Sequence, residues 1–296
     1  MVGKSSYNDK YLNKLHQDIL KIMDEVDRIC KENNLRYYLM CGSCLGAVRH
    51  QGFIPWDDDL DIAMPRVDFD RFIELLQNDN KVLNNSFYLR WVTTEKYYNH
   101  SFAKVCLKDT LFQEDDGVAS QKAGIFIDIF PLDYCDAYNH GKERKNYLIK
   151  ILGYCLLYKG SEHTNVNSIK TWLIKIVASL FSNRTIYKWI SCIIEPRNVN
   201  QANYQVIYAT PYPIRKMIFP KMWHGDGKKL LFEGRYYSCP FEAEAYLNQI
   251  YGKDFMQLPP ENKRKSHYPI RVVFSDGEEM LFERTRNKIN YSDFID

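Results

Sequence analysis

Leu12, Leu15, Ile19, Ile22, Val26 and Ile29 recur at spacings of three and four, the signature of one apolar face on an amphipathic helix. Asn33-Asn34 favours a turn and ends it. Residues 36–41 read as a strand, Gly42-Ser43 breaks it, and 44–50 fits a short helix. Gly52 and Pro55 mark a loop, and 60–64 reads as a buried strand interrupted by carboxylates. Pro65 suits the first turn of the next helix, which carries Phe69, Phe72, Leu75 and Leu76 on one face. Further strands are expected at 87–92, 101–107 and 124–130. Helix and strand therefore alternate through the first half, as in a sheet covered by helices. From about 139 to 195 the pattern turns helical and apolar, with helices near 140–158, 168–182 and 184–194. The last hundred residues mix short strands and prolines with one helix near 242–251. The expected class is α/β (α+β), a mixed sheet flanked by helices.

The 296 residues are 45% hydrophobic and 26% charged, enough for one large domain or a core with an appended part. Forty basic against 37 acidic residues leave a net charge of +3 and no continuous basic track, which argues against a nucleic-acid partner. The eight cysteines are scattered, so reduced thiols in a cytosolic protein are the simplest expectation. Only Cys41 and Cys44 have CxxC spacing, and no second pair follows at zinc-finger distance. No apolar leader opens the chain, and no apolar run reaches the length of a membrane span. The apolar stretches 147–158 and 172–181 each carry a lysine, Lys150 or Lys175, and read as buried or interfacial helices. The expected location is cytoplasmic, with the inner face of the plasma membrane as a surface on which those helices could rest.

The chemistry concentrates in 41–64, CGSCLGAVRHQGFIPWDDDLDIAM. Asp59 and Asp61 are two apart, which on a strand puts both carboxylates on one face, with Leu60 and Ile62 on the other. Two adjacent carboxylates repel unless a cation lies between them. Mg²⁺ favours a few carboxylates together with substrate phosphate oxygens. The alternative is a solvated acidic turn, against which the interleaved apolar residues argue. Gly42-Ser43 ahead of a helix can offer backbone N–H groups and a hydroxyl to a phosphate. Asp128 sits in the apolar run GIFIDIFPLD at 124–133, where a lone carboxylate is costly unless paired or metal-bound. It is a third metal ligand or a general base, the alternative being an edge position in water. Asp133 is expected to cap a turn or helix. Arg49, His50 and Lys104 are the basic candidates for balancing phosphates, and His267 is a further one.

The run from Gly42 to Asp61, GSCLGAVRHQGFIPWDDDLD, resembles the LicD family, as do GIFIDIFPLD and the later YGKDFM, Pro259-Pro260 and His267. The helical middle carries no such motif. The resemblance implies a nucleotidyltransferase-type fold and an activity related to that of the fukutin and fukutin-related proteins, which transfer ribitol phosphate from a CDP donor. For LicD proteins it implies transfer of phosphocholine from CDP-choline to cell-surface glycans such as lipopolysaccharide, teichoic acid or capsule. It assigns Asp59, Asp61 and Asp128 to a divalent metal, Mg²⁺ or Mn²⁺, and Gly42, Ser43, Arg49 and Lys104 to donor phosphates. In the wider superfamily fewer residues separate the Gly-Ser step from the acids than the fifteen, 44–58, found here; the LicD pattern shares the longer spacing.

The expected organisation is a nucleotidyltransferase-like core over 1–138, a helical insert over 139–200 facing acceptor or membrane, and a C-terminal part over 201–296 completing the cleft. The expected partners are a CDP-alcohol donor, CDP-choline first, and a glycan or lipid-linked oligosaccharide acceptor, with CMP released. Trp56 or Trp91 is considered for holding a quaternary ammonium by cation–π attraction. The alternatives are transfer of glycerol or ribitol phosphate, a nucleotidyltransferase that consumes a nucleoside triphosphate, and a non-catalytic glycan-binding protein.

Overall fold

A computed structural model of the chain describes residues 4–79, 81–95, 98–114, 123–135, 140–158, 169–194, 202–210, 212–264 and 269–282. Helix α1 (Lys4–Glu32) buries Leu15, Ile19, Ile22, Val26 and Ile29 completely or nearly so, as the three-and-four spacing requires. Strand β1 (Tyr38–Leu39) is shorter than the expected 36–41. Cys41 adopts a positive φ of 45°, which turns the chain sharply into α2 (Cys41–Arg49). Gly42 and Ser43 therefore lie in the first turn of that helix and not ahead of it. Gly46 is required further along α2, because a Cβ there would stand 2.4 Å from the Gly52 carbonyl oxygen.

Strand β2 (Asp61–Pro65) leads through Pro65 into α3 (Arg66–Asn78), which buries Phe69, Phe72 and Leu76. Strand β3 (Phe87–Arg90) stops before the expected 92 because Trp91 N–H turns to the Thr94 hydroxyl, 2.8 Å away. Then follow β4 (Ala103–Leu107), β5 (Leu111–Gln113) and β6 (Phe126–Cys135). Strand β6 runs past Pro131, and Asp133 lies buried inside it, bound to Arg66 at 2.7 and 3.1 Å. The expectation that Asp133 caps a turn is thus corrected. The strand tolerates Pro131 because β4 pairs with β6 only as far as Ile129, so no ladder bond on that side needs the missing N–H.

Helices α4 (His140–Tyr158), α5 (Ile169–Leu180) and α6 (Asn183–Ile193) close their own apolar cluster around Leu156, Ile174, Ile186 and Ile190. The remaining elements are β7 (Tyr204–Val206), β8 (Ile218–Pro220), α7 (Lys221–His224), β9 (Lys228–Phe232), β10 (Arg235–Cys239), α8 (Ala243–Tyr251), β11 (Arg271–Val273) and β12 (Glu279–Leu281). Most of their buried residues join the main core with α1 and α2.

The central sheet has the order β1-β2-β6-β4-β3, with β7 pairing the far half of β6 and β8 pairing β7. Strands β2 and β6 run parallel, whereas β6–β4 and β4–β3 are antiparallel. The chain is therefore the expected mixed sheet flanked by helices, an α+β architecture.

Candidate active site

Register across the sheet fixes the site. Asp61 of β2 pairs with Asp128 of β6, Asp128 with Lys104 of β4, and Lys104 with Arg90 of β3. Directly paired residues project from the same face. The sheet thus carries a row of two acids followed by two cations. The neighbours Ile62, Ile129 and Val105 are fully buried on the opposite face.

Lys104 Nζ lies 2.9 Å from Asp128 Oδ1 and 3.3 Å from the centroid of the Phe126 ring. Burial opposes the lysine's charge, but Asp128 and then Glu114 outweigh it and hold its pKa above the ordinary value. Burial pushes the Asp128 carboxyl up to about 6, with Lys104 pulling it down and Glu114 and Asp59 adding to the rise. Arg90 is buried and gripped by Glu95 at 2.7 and 2.9 Å. His100 is held neutral, well below its usual range, first by burial and then by Lys104 and Arg90. A small opening beside Lys104 is lined by Arg90, His100, Glu114, Phe112 and Phe126.

The acidic loop is anchored from both sides. His16 Nε2 lies 2.7 Å from the Asp57 carbonyl oxygen, and its ring stacks on Phe53 at 3.8 Å. Asp58 is buried and accepts the Tyr11 hydroxyl at 3.4 Å. Leu60 is also buried, whereas Asp57, Asp59 and Asp61 keep partial access. The expected alternation thus holds, although β2 begins at Asp61 and Asp59 stands just ahead of it. The Asp61 backbone is clamped: its N–H donates to Ser43 Oγ at 2.8 Å, and its carbonyl accepts Met40 N–H at 3.0 Å. Ser43 therefore ties α2 to the acids and keeps its own O–H to donate.

At the mouth of α2, Cys41 N–H is given to the Tyr246 hydroxyl at 3.1 Å and Cys44 N–H to the Met40 carbonyl at 3.2 Å. The Gly42 and Ser43 amides belong to the turn whose N–H groups a helix cannot satisfy itself. A Cβ on Gly42 would lie 2.9 Å from Asp57 Oδ2. Asp57 is a residue that sequence reasoning passed over, although its spacing of two from Asp59 signalled a shared face. Arg90 was also passed over, although a charge in an apolar strand had singled out Lys104.

The structure brings Ser43, Asp61, Asp128 and Lys104 together, with Asp59 near enough to act on the Asp128 charge. Arg49 and His50 stand at the far end of α2, about 10 Å of helix away. Arg49 donates to the carbonyls of Phe255 and Gln257 at 2.8 and 3.2 Å and to His50 at 2.9 Å. Trp91 is core, packed edge-on against Phe69 and Tyr187, which removes it as an ammonium-binding ring. The Arg264 guanidinium covers the Trp56 ring at 4.8 Å. His267 lies outside the described residues. Among the described residues no three His, Cys, Asp or Glu side chains converge as a ready metal cage. The donors at the row are all carboxylate oxygens, which suits a hard cation completed by substrate oxygens.

Residues 34–147 match the LicD/FKTN/FKRP nucleotidyltransferase domain. The chain carries a LicD-family domain. The matched stretch holds Gly42, Ser43, Asp57, Asp59, Asp61, Lys104 and Asp128. Similarity to the lipopolysaccharide cholinephosphotransferase LicD of Haemophilus influenzae extends beyond the domain, at 28% identity over 256 residues, 84% of this chain and 92% of that protein. An uncharacterized protein of Rickettsia typhi is 36% identical over 75 residues, 24% of each chain. Another, of Rickettsia prowazekii, is 44% identical over 50 residues, 17% of this chain and 19% of that protein.

Proposed function

We propose that the chain transfers phosphocholine from CDP-choline to a hydroxyl of a lipopolysaccharide-type glycan or its lipid-linked precursor, releasing CMP. The observation that carries this reading is the register of Asp61, Asp128 and Lys104 across three neighbouring strands, beside the first turn of α2. The similarity to a cholinephosphotransferase supports the choice of transferred group.

The acceptor oxygen forms a bond to the choline-bearing phosphorus as the bond from that phosphorus to the bridging oxygen breaks and CMP leaves. Asp59 and Asp61 would hold Mg²⁺ or Mn²⁺, which when bound supplies positive charge against the pyrophosphate and the departing CMP. The Gly42 and Ser43 amides and the Ser43 hydroxyl face the donor phosphates, where the α2 dipole favours negative charge. Asp128 takes the acceptor proton: its carboxyl lies near the operating pH, as an effective general base requires. Lys104 keeps Asp128 ionised until that transfer and then faces the charge developing on phosphorus.

The test is CMP release from CDP-choline, CDP-glycerol and CDP-ribitol, with Mg²⁺ or Mn²⁺, with and without glycan acceptor, beside an Asp59→Asn/Asp61→Asn protein. Metal-dependent CMP from CDP-choline, absent in the variant, is expected. Pyrophosphate released from a nucleoside triphosphate, with no CMP from any donor, would replace this reading with nucleotidyl transfer.

A further inference from the structure

Charge is divided unevenly along the chain. Residues 140–194 contain nine Lys and Arg against two Glu, whereas the rest contain 31 basic against 35 acidic residues. The same segment exposes large apolar side chains. Helix α5 packs on α4 through Ile174 and Ala178, and α4 packs on α6. On the outer side of α5, Trp172, Leu173 and Leu180 are 55%, 52% and 70% exposed. Positions 172, 173, 176 and 180 fall within an arc of about 100°. Phe181 at the end of α5, with Tyr147 and Leu148 on α4, is exposed as well. A solvent-facing helix ordinarily turns polar residues outward, and a contiguous exposed apolar patch marks an interaction surface.

We infer that the outer face of α5 lies in the plane of an anionic bilayer surface. Trp172, Leu173 and Leu180 then sink below the headgroups, and Lys and Arg of the same basic segment meet lipid phosphates. The twelve residues of α5 span about 18 Å, short of the roughly 30 Å of a hydrocarbon core. The helix therefore lies on the membrane and does not cross it. Charge selects this occupant over a second copy of the chain. A symmetric dimer through this face would set one strongly basic region against another, whereas anionic lipid complements it. The inference is independent of the catalytic reading, because its test reads binding without turnover.

The experiment is sedimentation of the full chain with vesicles of phosphatidylcholine alone or mixed with phosphatidylglycerol, at low and high salt. The Trp172→Glu/Leu180→Glu protein runs beside it. Both positions are more than half exposed, so its unfolding midpoint should match that of the parent; Leu180→Gln serves as a milder second variant. Binding to the anionic vesicles alone is expected, weakened by salt and reduced at least about tenfold in the double variant, from the loss of two inserted apolar side chains. Absence of binding to anionic vesicles, or equal binding by the variants, would overturn the inference. So would a concentration-dependent dimer, seen by ultracentrifugation, that the double variant abolishes, since that assigns the face to a second copy.

Discussion

Lys104→Met removes the cation from the buried pair with Asp128 while keeping a side chain of similar length over Phe126. Its cost depends on pH in a way the structure fixes. The folded Asp128 carboxyl is raised from 3.8 to about 6, so its ionisation costs stability, a cost that grows as pH rises from the unfolded value to the folded one. Lys104 restrains that rise. Without it the carboxyl climbs further, and stability keeps falling through neutral pH. Near pH 8 the variant should lose about 3–5 kcal/mol, the usual result of leaving one member of a buried pair uncompensated. Near pH 5 Asp128 is mostly protonated in either protein, so the loss should shrink to about 1 kcal/mol or less. Lys104→Met/Asp128→Asn should recover most of the stability at the higher pH, because no buried charge is left alone. Urea unfolding with EDTA at both pH values measures this. An equal loss at the two pH values, or no recovery in the double variant, would refute the reasoning.

Gly42→Ala places a methyl against Asp57 and should lower kcat/KM for the donor by about a hundredfold, whereas Arg49→Ala, at the far end of α2, should act mainly on stability; steady-state kinetics separates the two. Arg66→Met strands Asp133, which is only 1% exposed, and should cost about 3–5 kcal/mol in urea unfolding. His16 is held below its ordinary pKa, mainly by burial, so its share of stability is full above the unfolded value near 6.5 and lost as pH falls from there through the lower folded pKa. His16→Phe keeps the stack on Phe53, gives up a hydrogen bond worth about 1 kcal/mol, and should flatten the unfolding midpoint between about pH 7 and about pH 5.

Pattern carried the architecture furthest where burial is one-sided. The α1 spacing and the interleaving of Leu60 and Ile62 with acids reappear in the structure, because each follows from one face meeting the core. Pro65, expected in the first turn of α3, instead ends β2 and caps the helix, which begins at Arg66. Pairing between strands was beyond its reach. Nothing local in 101–107 or 124–130 says that Lys104 and Asp128 share a register, since that depends on how distant strands align. The end of β1 was also missed, because Cys41 takes a backbone conformation that its side chain does not favour. The Trp91 error has the opposite origin: an aromatic in a strand was given a ligand when the ring had only a core to fill.

The commitments of the nearby cations bear on how a pyrophosphate would dock. Arg90 is held by both oxygens of Glu95, Arg49 by two backbone carbonyls and His50, and Lys104 by Asp128. Drawing any of them onto a phosphate means breaking an interaction already made, and for Lys104 doing so in a buried setting where Asp128 would be left uncompensated. The first-turn amides of α2 carry no such obligation, since a helix leaves those donors for an outside acceptor. Their approach is kept clear at Gly42, where even a methyl would press on Asp57. Under the proposed function, the donor phosphates are therefore best served by backbone N–H groups at the α2 mouth, which Ser43 ties to Asp61. Lys104 is then left to govern the ionisation of Asp128, and its contribution to donor affinity should be small beside that of the glycine.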